Sequence, residues 1–131
     1  MNLKMALFIL GTLFFSTTAS AKTKVFYAPT ENSISWENSP NSIMWIGNAK
    51  VEDQGWFMVI GTNQKTPPKV SALKTPPTIE PLIENGKLLY KAQFYFETLP
   101  AHTKMSLLTI ISGFDSCTVN KIEQNITCVK D

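Results

Sequence analysis

Arginine does not occur in this chain, histidine occurs once, at His102, and cysteine twice, at Cys117 and Cys128. Without arginine there is no planar guanidinium to grip a phosphate or a guanine edge through two parallel hydrogen bonds, and the lysines that carry the positive charge are scattered. Specific nucleic-acid binding and a polybasic membrane patch are therefore not expected. One histidine with no spaced cysteine ligands makes no donor set for zinc or copper. No phosphate-cradling glycine loop or cofactor fingerprint occurs either, so the expectation is no metal and no cofactor. A Ser-His-Asp relay would have to use His102, and the Asp115-Ser116 pair in "GFDSC" does not form a nucleophile elbow. Glu52 and Asp53, the likeliest acidic neighbours, fall in a hairpin turn, a poor setting for glycoside hydrolysis. The chain reads as a non-enzyme.

What is present begins with an export signal. Lys4 precedes an apolar run, Met5 to Phe15, that is too short to span a bilayer, and Ala19-Ser20-Ala21 supplies the small residues of a cleavage site. Residues 1–21 are expected to be a cleavable signal peptide, leaving residues 22–131 as one domain with no membrane span after the leader. All twelve basic residues are lysines; loss of Lys4 leaves eleven against ten acidic residues, a net charge near +1. Export, to a periplasm or the extracellular space, also decides how the cysteines read. In an oxidising compartment a pair with no other ligand-type residues around it is a structural disulfide, Cys117 to Cys128. Asn125-Ile126-Thr127 matches a glycosylation triplet, but such triplets are common by chance.

Helical periodicity is hard to find beyond the leader, whereas alternating β-branched and aromatic runs are frequent. "KLLYKAQFYFE" and "KMSLLTIIS" predict a hairpin across "TLPAHT" with Glu97 opposite Lys104. Leu88, Tyr90, Ala92, Phe94 and Phe96 then share a face with Met105, Leu107, Thr109 and Ile111. A one-residue slip would send the aromatics to water, so the pattern pins the register. Ser42 to Val51 and Trp56 to Gly61 predict a second hairpin around "EDQG", with Val51 opposite Trp56, Ala49 opposite Met58 and Gly47 opposite Ile60. Its core face also holds Ile43 and Trp45. Its other face carries Met44, Ile46, Phe57 and Val59 beside Asn48 and Lys50, too apolar for open solvent. "KVFYA", "SISWE" and a terminal hairpin around "KIEQ" complete the strands, the last with Cys117 opposite Cys128, Thr118 opposite Thr127 and Val119 opposite Ile126.

Between the two large hairpins, residues 62–86 hold five of the eight prolines and repeat Lys-Thr-Pro-Pro at Lys65 to Pro68 and Lys74 to Pro77. Proline removes a backbone donor and extends its predecessor, so the segment predicts a rigid polyproline crossover between sheets, with a short edge strand in "KVSALK". Its apolar residues, Val70, Leu73, Ile79, Leu82 and Ile83, are expected to fold back over Met44, Ile46, Phe57 and Val59. If they do not, that face is a partner site by default, and Lys65, Pro67, Pro68, Lys74, Pro76 and Pro77 of the arm are further candidates for protein contact.

Two hairpins with one strongly apolar face each, plus outer strands, predict an all-β fold, a small antiparallel β-sandwich, with a small β-barrel as the alternative. The architecture resembles the immunoglobulin-like modules of surface and periplasmic proteins, though the inter-sheet Cys-Trp-Cys signature is missing. The function expected is a non-catalytic binding or assembly module whose partner is another protein. The alternative is an inhibitor or immunity-type protein presenting a rigid loop to an enzyme.

Overall fold

Alternation of apolar and polar residues over short, β-branched runs sets one side of each strand toward a core, and the computed structural model shows the result for residues 22–41 and 43–131. The predicted leader and Ser42 lie outside the described residues. Ten strands form: β1 Lys22–Phe26, β2 Ser35–Asn38, β3 Met44–Val51, β4 Gln54–Gly61, β5 Lys69–Ala72, β6 Thr78–Glu84, β7 Lys87–Leu99, β8 Lys104–Ser112, β9 Ser116–Asn120 and β10 Asn125–Lys130. A 3₁₀ turn, Glu31–Ser33, precedes β2. The strands make two antiparallel sheets, one of three in the order β1-β10-β9 and one of seven in the order β2-β3-β4-β8-β7-β5, with β6 also on β7. Phe26, Ile126 and Cys128 of the small sheet join Trp56, Met58, Phe94, Phe96 and Leu107 of the large one in a single core. The fold is all-β and antiparallel, as expected, and lies between the sandwich and the barrel alternative: the seven-stranded sheet curls until its β2 and β5 edges border one depression, and the three-stranded sheet packs into the same core.

The β7–β8 hairpin has the register read from its pattern, Glu97 opposite Lys104 and Tyr95 opposite Ser106. Phe96, Leu107 and Ile111 are fully buried, and each contributes about 1.5–3 kcal/mol. Thr109 is buried among them, and its hydroxyl donates to the Gly55 carbonyl at 2.6 Å, so the polar group costs little. The terminal hairpin also agrees residue for residue, and Cys117 and Cys128 are bonded across it. Asn125, which begins the glycosylation triplet, is only 7% exposed, which leaves a glycan no room.

The β3–β4 register differs from the expected one by two residues: Ala49 lies opposite Trp56, Gly47 opposite Met58 and Val51 opposite Gln54. The turn is Glu52-Asp53 alone, with Glu52 at φ 55. Gln54 stays in the strand, where its side-chain amide donates to Thr109 Oγ1 and to the Ile110 carbonyl on β8. A slip of two preserves which side chains share a face, so the core set Trp45, Ala49, Trp56, Met58 and Ile60 is buried as expected. Ile43 is the exception, exposed just before β3 begins.

Residues 62–86 are not a polyproline crossover, although the short edge strand expected in "KVSALK" is present as β5. β5 and β6 both pair with β7 on the edge away from β8. Between Ala72, opposite Phe96, and Thr78, opposite Gln93, the five residues 73–77 face only two of β7, so the second Lys-Thr-Pro-Pro copy is a three-residue bulge in one long edge strand. Pro81 sits inside β6 opposite Tyr90. That position turns the missing N–H away from β7, because the neighbouring odd-numbered residues of β7 point their backbone groups at this edge. Asn85-Gly86, at φ 52 and 75, closes β6 onto β7 as a two-residue hairpin.

Candidate functional site

Because β4 is followed in the sheet by β8, the apolar outer side of β3 and β4 continues sideways onto a third strand. Ile46 lies opposite Val59, and Phe57 lies opposite Leu108. Ile110 is on the same side of β8, two residues on. Phe57 is 46% exposed, Val59 44% and Ile110 43%, and Met44, Ile46 and Leu108 are partly exposed beside them. Together they make a continuous apolar patch on the order of a few hundred Å², at the size where monomeric proteins carry functional surfaces.

The surrounding side chains are polar and held in place. Gln93 Nε2 donates to Ser106 Oγ at 3.0 Å, Lys104 Nζ stands 4.4 Å from the centre of the Tyr95 ring, and Lys91 pairs with Glu80 at 3.5 Å. Asn48 and Lys50 close the other side, where a depression of about 480 Å³ opens between Ser35, Lys50 and Phe57. The patch thus has an apolar middle within a polar margin.

The structure does not bring the proline arm to this face. β5 and β6 lie beyond β8 and β7, and Val70 and Ile79 pack against the core instead of covering Phe57. The expected cover is absent among the described residues, and Met44, Ile46, Phe57 and Val59 remain open on their own. Lys65, Pro67 and Lys74 are exposed and Pro76 half-buried, but Pro68 and Pro77 are buried. Burial of the second proline of each copy leaves these two no docking surface. Leu108 and Ile110 belong to the patch and were missed in the sequence. Their signal was their place beside Ser106 on the nominally polar side of β8, but it has meaning only once β4 is known to lie next to β8.

His102, at φ 58, occupies the β7–β8 turn, with Nδ1 2.7 Å from Glu97 Oε1. Asp115 and Ser116 lie at the other end of β8, roughly 30 Å of strand away, so no relay joins them to His102. Asp115 is used structurally: its carbonyl accepts from the Tyr90 hydroxyl at 3.0 Å and its carboxylate from the Asp131 N–H at 2.7 Å. Among the described residues no three His, Cys, Asp or Glu side chains gather as metal ligands, and no helix is long and apolar enough to cross a membrane. The chain matches no family model, no curated protein and no solved structure.

Proposed function

We propose that the protein is an exported, non-catalytic module that binds another protein through the outer face of β3, β4 and β8. The observation that carries this reading is the exposure of Phe57, Val59 and Ile110 close together on the paired strands β4 and β8. Preformed strands spend little conformational entropy on binding, and an aromatic at the centre of a desolvated patch is the usual anchor of an interface. Export rests on the leader, and the Cys117–Cys128 bond is compatible with an oxidising compartment such as a periplasm or the extracellular space. The test is capture of partners from the native envelope or secreted fraction by the wild type and by Phe57→Lys. A partner retained by the wild type and lost by the variant supports the reading. Equal capture by both overturns it.

A second reading, an inhibitor or immunity-type protein, draws on the β7–β8 turn. Four hydrogen bonds tie this turn to itself: His102 to Glu97, His102 N–H to the Thr98 carbonyl at 2.7 Å, Thr98 N–H to the Thr103 carbonyl at 2.8 Å, and Thr103 N–H to Thr98 Oγ1 at 3.1 Å. A loop held in this way is preorganised for insertion into a cleft. Under this reading, Ala101→Lys abolishes capture and Phe57→Lys leaves it intact.

A further inference from the structure

The seven-stranded sheet ends at β2 on one side and at β5 on the other, and both edges line one depression. Trp36 of β2 and Val70 of β5 face the same space of about 320 Å³, with Glu31 of the 3₁₀ turn beside them. The backbone directions at both edges are fixed by single hydrogen bonds. Leu73 N–H donates to the Tyr95 carbonyl at 3.0 Å, so residues 69, 71 and 73 face β7, while Val70 and Ala72 turn their N–H and C=O groups outward. Ser39 N–H donates to the Met44 carbonyl at 3.0 Å, so Ser35 and Glu37 face β3, while Trp36 and Asn38 face outward.

One of these outward donors is already met. Glu31 Oε2 accepts from the Ala72 N–H at 2.9 Å, so a carboxylate oxygen stands where the carbonyl of an adjoining strand would stand. We propose that this seam is a β-augmentation site for a short extended segment of a partner protein, with Glu31 holding the place of the incoming strand. Main-chain bonds to Val70 and Ala72 supply the recognition. The segment is alternating: apolar on the side that lands on Trp36 and Val70, polar on the side beside Glu37 and Ser71. It is also short, because Pro67-Pro68 precedes β5 and Pro76-Pro77 follows it, and proline ends strand pairing at both limits. The two Lys-Thr-Pro-Pro copies thus frame a strip four residues long. This seam is separate from the face carrying Phe57, and either proposal can fail without the other.

The probe is a soluble peptide of alternating valine and threonine with lysine ends, titrated to millimolar concentration into the isotopically labelled, oxidised protein. Its control is the same peptide N-methylated at alternate amides. Binding at the seam moves the amide resonances of Trp36, Asn38, Val70 and Ala72, and the methylated peptide moves none of them. Glu31→Ala removes the stand-in and tightens binding on the order of tenfold, the worth of one charge-assisted hydrogen bond. Val70→Pro removes an outward donor without touching the ladder to β7 and abolishes binding; if that variant does not fold, the methylated peptide makes the same comparison. Resonances that stay still in both the wild type and Glu31→Ala overturn the proposal, as does binding that ignores N-methylation. Shifts at the four amides on concentrating the protein alone assign the seam to a second copy and also overturn it.

Discussion

Gly47 has no room for a side chain. A methyl group there would lie 2.9 Å from Ile34 Cγ2 and 2.9 Å from Trp36 Cζ3, because Trp36 stands directly across from Gly47 on β2 and closes over it. Gly47→Ala should cost about 1–3 kcal/mol in urea unfolding, the penalty of forcing a methyl into a filled space. Trp36→Leu removes the ring atoms that clash, so the double variant should lose less than the sum of the two single ones, and strict additivity would mean that the two residues do not touch. Pairing with a residue of β4 does not by itself demand glycine at position 47. The expected partner of Gly47 on β4 is Ile60 and the observed one Met58, whereas the tighter constraint comes from β2, whose pairing with β3 no local pattern announces. Phe57 shows the same limit in reverse. Strand alternation places its side chain on the outer face, but its exposure depends on where residues 62–86 run. At 46% exposure, Phe57→Lys should shift unfolding by no more than about 1 kcal/mol, and a larger loss would show a cover over the patch.

At the scale of elements, hairpins were legible wherever both strands alternate cleanly, as in β7–β8 and β9–β10. The β3–β4 hairpin kept its faces and lost its register, because Gly55 suggested a longer turn while Gln54 has a partner on β8 that holds it in the strand. The left-handed backbone at Glu52, φ 55, is strained for a residue with a Cβ, so Glu52→Gly should raise stability by about 0.5–1 kcal/mol; a loss would show that the Glu52 side chain matters to the fold. Within residues 62–86 the expected edge strand in "KVSALK" forms as β5, whereas the polyproline crossover does not form, and the difference has a definite physical origin. Five prolines outweighed the Asn85-Gly86 turn signal, although an edge strand tolerates proline wherever the missing N–H faces away from its neighbour. The bulge also makes a prediction. β5 residues and their β7 partners sum to 168, as in Lys69 with Leu99, and those of β6 to 171, as in Thr78 with Gln93. Deleting residues 74–76 should therefore merge β5 and β6 into one ladder, with Pro77 opposite Phe94 and its nitrogen facing outward. The shortened protein should fold with stability within about 1 kcal/mol of the parent. Loss of β6 amide protection would show that the bulge is needed to set the register.

At the scale of the whole molecule, the question is whether the small sheet is an independent flap or half of one core. Cys128 and Ile126 are wholly buried, and Phe26 meets Phe114 edge-on at 6.1 Å between ring centres, so the inner face of the small sheet belongs to the same core as Trp56 and Phe94. The disulfide closes a loop with a sequence separation of 11. In the chain-entropy description such a closure restricts the unfolded ensemble by about 3 kcal/mol, a large share of the stability of a domain this size. If the two sheets share one core, reduction cannot loosen the small sheet alone. Tryptophan fluorescence, which reports on the large sheet because all three tryptophans lie on β2, β3 and β4, should then lose its urea midpoint in step with the amide protection of β9 and β10. Both probes should report the same loss of about 3 kcal/mol on adding reductant, and with Cys117→Ala and Cys128→Ala combined the loss should be larger by the volume removed at the buried position. Two separated transitions, with the terminal hairpin melting first, would make the small sheet a local unit and the core of the large sheet self-sufficient. A shared transition would tie the stability of the sheet that carries Phe57 to a bond in the small sheet, across the core.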